Sequence, residues 1–149
     1  MTERLRVVLD TNVILSSFLS RNPSSPTKEI IRRWLDGEFI LVVSDALVDE
    51  VTEKLRAANI SDDRITNFLT LMVRLAEWID VPETSIQEVI PEDRDDDLIL
   101  ACAVVGEADY LITYDAHFDP LGGAYAGVSI AKALPFLWHL RGSSEVSGG

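Results

Sequence analysis

The sequence has 149 residues, 47% of them hydrophobic, and a formal net charge of −12. That is the length of one domain with enough apolar material for a core. Its one cysteine, Cys102, excludes an internal disulfide and cannot build a zinc site by itself. A charged leader followed by an apolar stretch is missing, as is any apolar run of about 18 residues, so neither a signal peptide nor a membrane span is expected and a cytoplasmic protein is.

The charge is uneven. Residues 1–75 hold 10 basic and 11 acidic residues, whereas residues 76–149 hold 3 and 14. Phosphate binding rests on Lys and Arg, so such a chain is a poor nonspecific partner for nucleic acid. A nucleic-acid role needs a metal bridge, another subunit or a local patch, for which the first half offers Arg21, Lys28, Arg32, Arg33, Lys54 and Arg56.

In chain order, "LRVVLD" (5–10) reads as a buried strand ending in an acid, followed at once by a short helix, "NVILSSFLS" (12–20). After the loop "NPSSP", Pro26 suits the first position of a helix that puts Ile30, Ile31, Trp34 and Leu35 on one side and stops near Gly37. "FILVVS" (39–44) is a second buried strand, and Ser44 can cap the helix 45–58. A capped helix follows over 61–79, running into an extended piece near "WIDV". The stretch "DLILACAVVGEA" (97–108) reads as a helix, "DYLITYD" (109–115) as a third strand, and 127–140 as a last short strand and short helix. A single domain over 1–141 with a disordered tail at 142–149 is the expected organisation. Alternating helices and continuous apolar strands are the mark of a parallel sheet covered on both faces.

The stretch "PEDRDDDLIL" crowds Glu92, Asp93, Asp95, Asp96 and Asp97 in front of an apolar helix. A helix N-terminus favours one or two such acids as caps, but five exceed that need. Ligands of an open parallel sheet bind beyond the carboxyl ends of its strands. Asp10 and Asp115 end strands, and Glu50 sits on the second turn of the helix after the second strand. The helix at 97 is expected to begin at the opposite edge, unless the loop 80–96 carries the chain back. Singly, each acid reads as a turn, cap or surface residue. Together they are the hard oxygen donors that Mg²⁺ or Mn²⁺ prefers. His117 and His139 belong to no ligand motif, and no Ser/His or Cys/His catalytic arrangement is visible.

"VVLDTNVILSSF", "VVSDALVDEV" and "DRDDDLILACAVVGEADYLITYD" together resemble the PIN-domain family, in particular its VapC-like branch of toxin components of toxin–antitoxin pairs. The resemblance runs from about Arg6 to about Leu140. It implies a three-layer α/β/α sandwich with a central parallel sheet, in which the helix at the third acid begins beside the active site. It implies Asp10, Glu50, Asp97 and Asp115 as the active-site acids, Asp96 as an alternate or outer metal ligand, and Asn12 and Thr113 as supporting residues. The activity implied is Mg²⁺- or Mn²⁺-dependent cleavage of single-stranded RNA. The partners implied are a homodimer mate and, for a toxin, a small antitoxin protein. Two other readings stand beside it. A phosphoacceptor receiver domain would need a lysine after a late strand, and the only lysine past residue 54 is Lys132. A catalytically silent module of the same fold would bind RNA or protein without turnover. Trp34, Phe39, Trp78, Phe136 and Trp138 are candidates for core packing or a contact face.

Overall fold

The computed structural model describes residues 4–148, with the side chains beyond Gly142 outside the described set. Strand β1 (Arg6–Leu9) leads through helices α1 (Thr11–Leu19) and α2 (Pro26–Leu35) to β2 (Ile40–Val43). Helices α3 (Asp45–Ala57) and α4 (Asp62–Leu75) then precede the two-residue strand β3 (Glu77–Trp78). After a loop come α5 (Arg94–Val105), β4 (Tyr110–Ile112), a short 3₁₀ helix (Ala116–Leu121), β5 (Ala124–Tyr125), β6 (Val128–Ala131) and α6 (Ala133–Gly148). The starts follow from local chemistry. Ser25, Ser44 and Ser61 each accept a backbone N–H from the first turn of α2, α3 and α4, and Pro26 opens α2.

The sheet order is β3-β2-β1-β4-β6-β5, parallel throughout except for the β5–β6 hairpin. Val7, Val8 and Leu9 of β1 and Leu41, Val42 and Val43 of β2 are all buried, as strands covered on both faces must be. With helices flanking this sheet, the architecture is the expected three-layer α/β/α sandwich. The chain turns from β1 to one side through β2 and β3, then returns to β1's other side through β4. The crevice between the carboxyl ends of β1 and β4 is therefore the switch point at which such sheets bind ligands.

Helix α5 corrects the expected edge. It packs against β1, β2 and β4, and its C-terminal Gly106 carbonyl accepts from Arg6 Nε at 3.0 Å, at the start of β1. A helix joining parallel strands runs antiparallel to them, so α5 starts at the carboxyl edge and not at the opposite one. It also begins at Arg94, three residues before the expected start at Asp97, with Asp93 accepting from the Asp95 N–H at 2.9 Å.

Two further differences follow from tertiary context. The β5–β6 hairpin turns on Ala126 and Gly127, both at positive φ, and has no apolar run to announce it. Helix α4 stops at Leu75, because the next residues are drawn into pairing with β2. The backbone of α6 runs from Ala133 to Gly148. Arg141 on α6 reaches back to Glu29 on α2 at 2.5 Å, and Glu29 also accepts from Arg33 Nε at 2.8 Å. Trp34, Phe39 and Phe136 lie in the core, while Trp78 and Trp138 are 38% and 60% exposed, which makes only the last two available to a partner. No helix among the described residues is long and apolar enough to cross a membrane.

Candidate active site

Asp10 follows β1 as the N-cap of α1, but its side chain caps nothing. Its backbone does the capping, with its carbonyl accepting from Val13 N at 3.0 Å, and its own N–H donates to Ile112 on β4 at 2.9 Å. The carboxylate is thus released from local duty and turned into the crevice, 2% exposed. The Thr113 hydroxyl, at the end of β4, donates to Asp10 Oδ2 at 2.7 Å and accepts the Asp115 N–H at 3.0 Å. One threonine so ties the acids that follow two neighbouring strands.

Asp115 and Asp96 complete the group. One carboxylate oxygen from each of Asp10, Asp96 and Asp115 lies within 4.8 Å of the others. His117 closes its rim, with Nδ1 2.9 Å from Asp96 Oδ2 and 3.3 Å from Asp115 Oδ1. Asp93, Asp96 and His117 form a second group of the same compactness. Burial pushes the Asp96 carboxyl up to about 6; the His117 hydrogen bond opposes this, and the charges of Asp115, Asp93 and Asp10 add to it. The same hydrogen bond, with the charge of Asp115, holds the His117 imidazole above its ordinary value despite some desolvation.

Asp97 stands elsewhere. It is buried like Asp96, but its Oδ1 accepts from Val89 N at 3.0 Å and Ile90 N at 2.8 Å. Its carboxylate pins the 80s loop to the first turns of α5 and is not part of either acidic group. The structure therefore brings Asp96, expected as the alternate, into the place expected for Asp97. Successive helix residues are about 100° apart around the axis, so only one of the two can face the crevice.

Glu50 is joined to the group through Thr11, whose hydroxyl lies 3.5 Å from Glu50 Oε1 and 3.3 Å from Asp10 Oδ1. Lys54, one turn along α3, pairs with Glu50 at 3.2 Å and donates to Thr11 Oγ1 at 3.0 Å and Asn12 Oδ1 at 3.4 Å. Burial raises the Glu50 carboxyl's pKa; Lys54 opposes the shift, while Asp95 and Asp10 add to it. Asn12 is exposed and serves as Lys54's acceptor.

Sequence reasoning missed His117, Thr11 and the role of Lys54. The spacing of His117, two residues after Asp115, and of Lys54, four after Glu50, carried the available signal. Cys102 is fully buried with its thiol pushed up to about 11, the inert thiol its apolar surroundings suggest.

The sequence model of the PIN domain matches residues 6–117. The fold is similar to a chain in the crystal structure of VapBC2 from Rickettsia felis bound to a DNA fragment from their promoter. The TM-score is 0.58 at 14% sequence identity, over 85% of this chain and 97% of that one. Among curated proteins no significant match is found.

Proposed function

This chain belongs to the PIN-domain family, and from that premise we propose that it is a divalent-metal-dependent endoribonuclease acting on single-stranded RNA. The observation that carries the reading is the group of Asp10, Asp96 and Asp115, whose oxygens lie within 4.8 Å of one another at the sheet's switch point. Three carboxylates without a sulfur ligand are the donor set that Mg²⁺ or Mn²⁺ takes, so the residues fit the metal. Burial first, and the charges of Asp115, Asp93 and Asp10 after it, raise the Asp96 carboxyl, so its ionised form gains from a cation. A divalent cation held by these acids supplies a water of lowered pKa and relief of charge on the phosphate.

The chain's own groups divide the remaining work. Thr113 orients Asp10, and His117 steadies Asp96 and Asp115 from the rim. Asp97 acts in positioning, by fixing the loop against α5. Glu50 binds its proton more tightly than an exposed glutamate does, which suits its carboxylate to accept one from the attacking water. Lys54 offers its ammonium beside Asn12, where an incoming phosphate can meet it. Attack by water leaves a 5′-phosphate and a 3′-hydroxyl on the products.

The test is a cleavage assay on mixed single-stranded RNAs. Activity should require Mn²⁺ or Mg²⁺, stop with chelator, and fall by at least about 100-fold in Asp10→Asn. Products ending in a 2′,3′-cyclic phosphate, or cleavage in excess chelator, would overturn the mechanism. Metal binding without turnover on any RNA would favour the silent module.

The same reading extends to partners. By its likeness to a VapBC2 chain, this protein is proposed as the cytoplasmic toxin of a toxin–antitoxin pair. A small antitoxin protein would cover the acidic crevice with a basic side chain. A homodimer is expected, with exposed Trp138 and Leu134, one turn apart on α6, as a candidate contact. Light scattering that shows a strict monomer at high concentration would remove the dimer.

A further inference from the structure

A groove of about 270 Å³ opens between α1, α2 and α4, lined by Ser17, Phe18, Lys28, Ile31, Arg32, Arg64 and Phe68. Its floor is apolar and its walls hold three cations without an acid among them. Among the described residues none of the three forms an ion pair, in a chain of net charge −12. Glu29, the acid in the first turn of α2, is already engaged by Arg33 and Arg141.

Two of the cations are also held in place. Arg32 Nη1 donates to the Pro23 carbonyl at 2.8 Å. The Arg64 guanidinium lies 5.0 Å from the Phe18 ring centroid and donates to the Phe18 carbonyl at 3.4 Å. Neutral partners fix the direction of each fork, and among the described residues no carboxylate pairs with either, although Asp62 and Asp63 share the first turn of α4 with Arg64. Lys28 and Arg64 occupy the first turns of α2 and α4, where the helix dipole opposes a cation.

Helix α1 links the groove to the acidic crevice, with Asp10 at its start and Ser17 and Phe18 near its end. Phe18 lies eight residues along α1 from Asp10, about 12 Å at 1.5 Å per residue. The outer face of α1 between them carries a shallow depression lined by Asn12, Leu15, Ser16, Leu19 and Ser20.

We propose that this groove carries the phosphodiester backbone of the single-stranded RNA substrate on one side of the cleaved bond, with Lys28, Arg32 and Arg64 taking phosphates. The inference rests on the ribonuclease reading above for its substrate. Three cations, two of them directed, beside an apolar floor fit a polyanion whose sugars and bases are partly apolar. They explain how an acidic protein holds RNA without a basic surface overall.

The experiment measures binding of a fluorescein-labelled mixed-sequence single-stranded RNA by anisotropy, in chelator, across a series of salt concentrations. The double change Lys28→Gln, Arg32→Gln should weaken binding and lower the log–log salt slope by about 1.4, and adding Arg64→Gln should bring the drop to about 2. The double variant spares the contact of Arg64 with Phe18, so it tests the charge where the triple variant fails to fold. Arg32→Lys should keep the slope. Unchanged affinity and slope in the folded double variant would overturn the proposal, as would wild type that binds no RNA at low salt. Loss of a co-expressed protein partner with RNA binding intact would assign the groove to that partner instead. If the slope falls as expected but no RNA is cleaved with Mn²⁺, the catalytic reading fails and the binding surface stands.

Discussion

Asp96 and Asp97 are adjacent and equally buried, each 4% exposed, so their difference lies in what they touch. Asp96 meets acids and an imidazole, whereas Asp97 meets two backbone N–H groups. Substitutions should separate them. Asp97→Ala leaves the Val89 and Ile90 donors unpaired and should cost about 2–4 kcal/mol in urea unfolding. Asp96→Asn should cost little metal-free stability, since it removes a carboxyl that burial and like charges disfavour, yet it should abolish Mn²⁺ binding in calorimetry. The reverse pattern would return the ligand role to Asp97. The sequence showed three consecutive aspartates but could not say which one turns inward. That choice depends on the rotation of α5 about its own axis, which its packing against β1, β2 and β4 sets. His117 was obscured in the same way, because its partner Asp96 lies 21 residues away and only the fold brings them together. Asp10, Glu50 and Asp115 were easier, since each follows a strand or a helix start that its own neighbours announce.

At the scale of elements, the buried strands and capped helices were legible because their causes are local: apolar runs, serine caps and Pro26. The β5–β6 hairpin and β3 were not, because two-residue strands owe their existence to the neighbour they pair with. Gly106 shows another thing that local pattern conceals. It reads as an ordinary glycine after a helix, yet a Cβ there would stand 2.7 Å from Val42 Cγ1 and 2.9 Å from Ile79 Cδ1. The end of α5 is set against β2 and the residue after β3 at a distance only glycine allows. Gly106→Ala should therefore cost about 1–3 kcal/mol through overpacking, read as a lower urea midpoint. Because α5 carries Asp96 at its other end, metal affinity should drop in the same variant. A stable variant with unchanged affinity would mean the strand and the helix end can yield.

For the whole molecule, the link from α2 to α6 is ionic as well as apolar. Arg141 is the main cause that holds the Glu29 carboxyl at about 2, below its ordinary 4.5, with Arg33 helping against the cost of burial. A carboxyl depressed on folding contributes stability that is complete above about 4.5 and lost as pH falls toward about 2. Unfolding at a series of pH values should show this acid-side loss, and Glu29→Gln should flatten it. At neutral pH the variant should be weaker by about 1–2 kcal/mol, a figure discounted for the solvent around Arg141. An identical acid-side slope in wild type and variant would show that the pair contributes nothing.

The position of β1 at mid-sheet has a consequence for how the protein is made. Its two hydrogen-bonded neighbours are β2, soon after it in the chain, and β4, about a hundred residues on. During synthesis the first strand must wait, one edge unpaired, until residues 110–112 emerge, and closing so long a loop is a slow, entropy-limited step. The carboxylates follow the same schedule, with Asp10 and Glu50 emerging early and Asp96 and Asp115 late. A ribosome therefore never carries a partly built chain with a finished acidic centre. Fragments that stop short of β4 lack one side of the sheet and at least one acid of the centre, so the carboxylates come together only once β4 and the residues after it have been made.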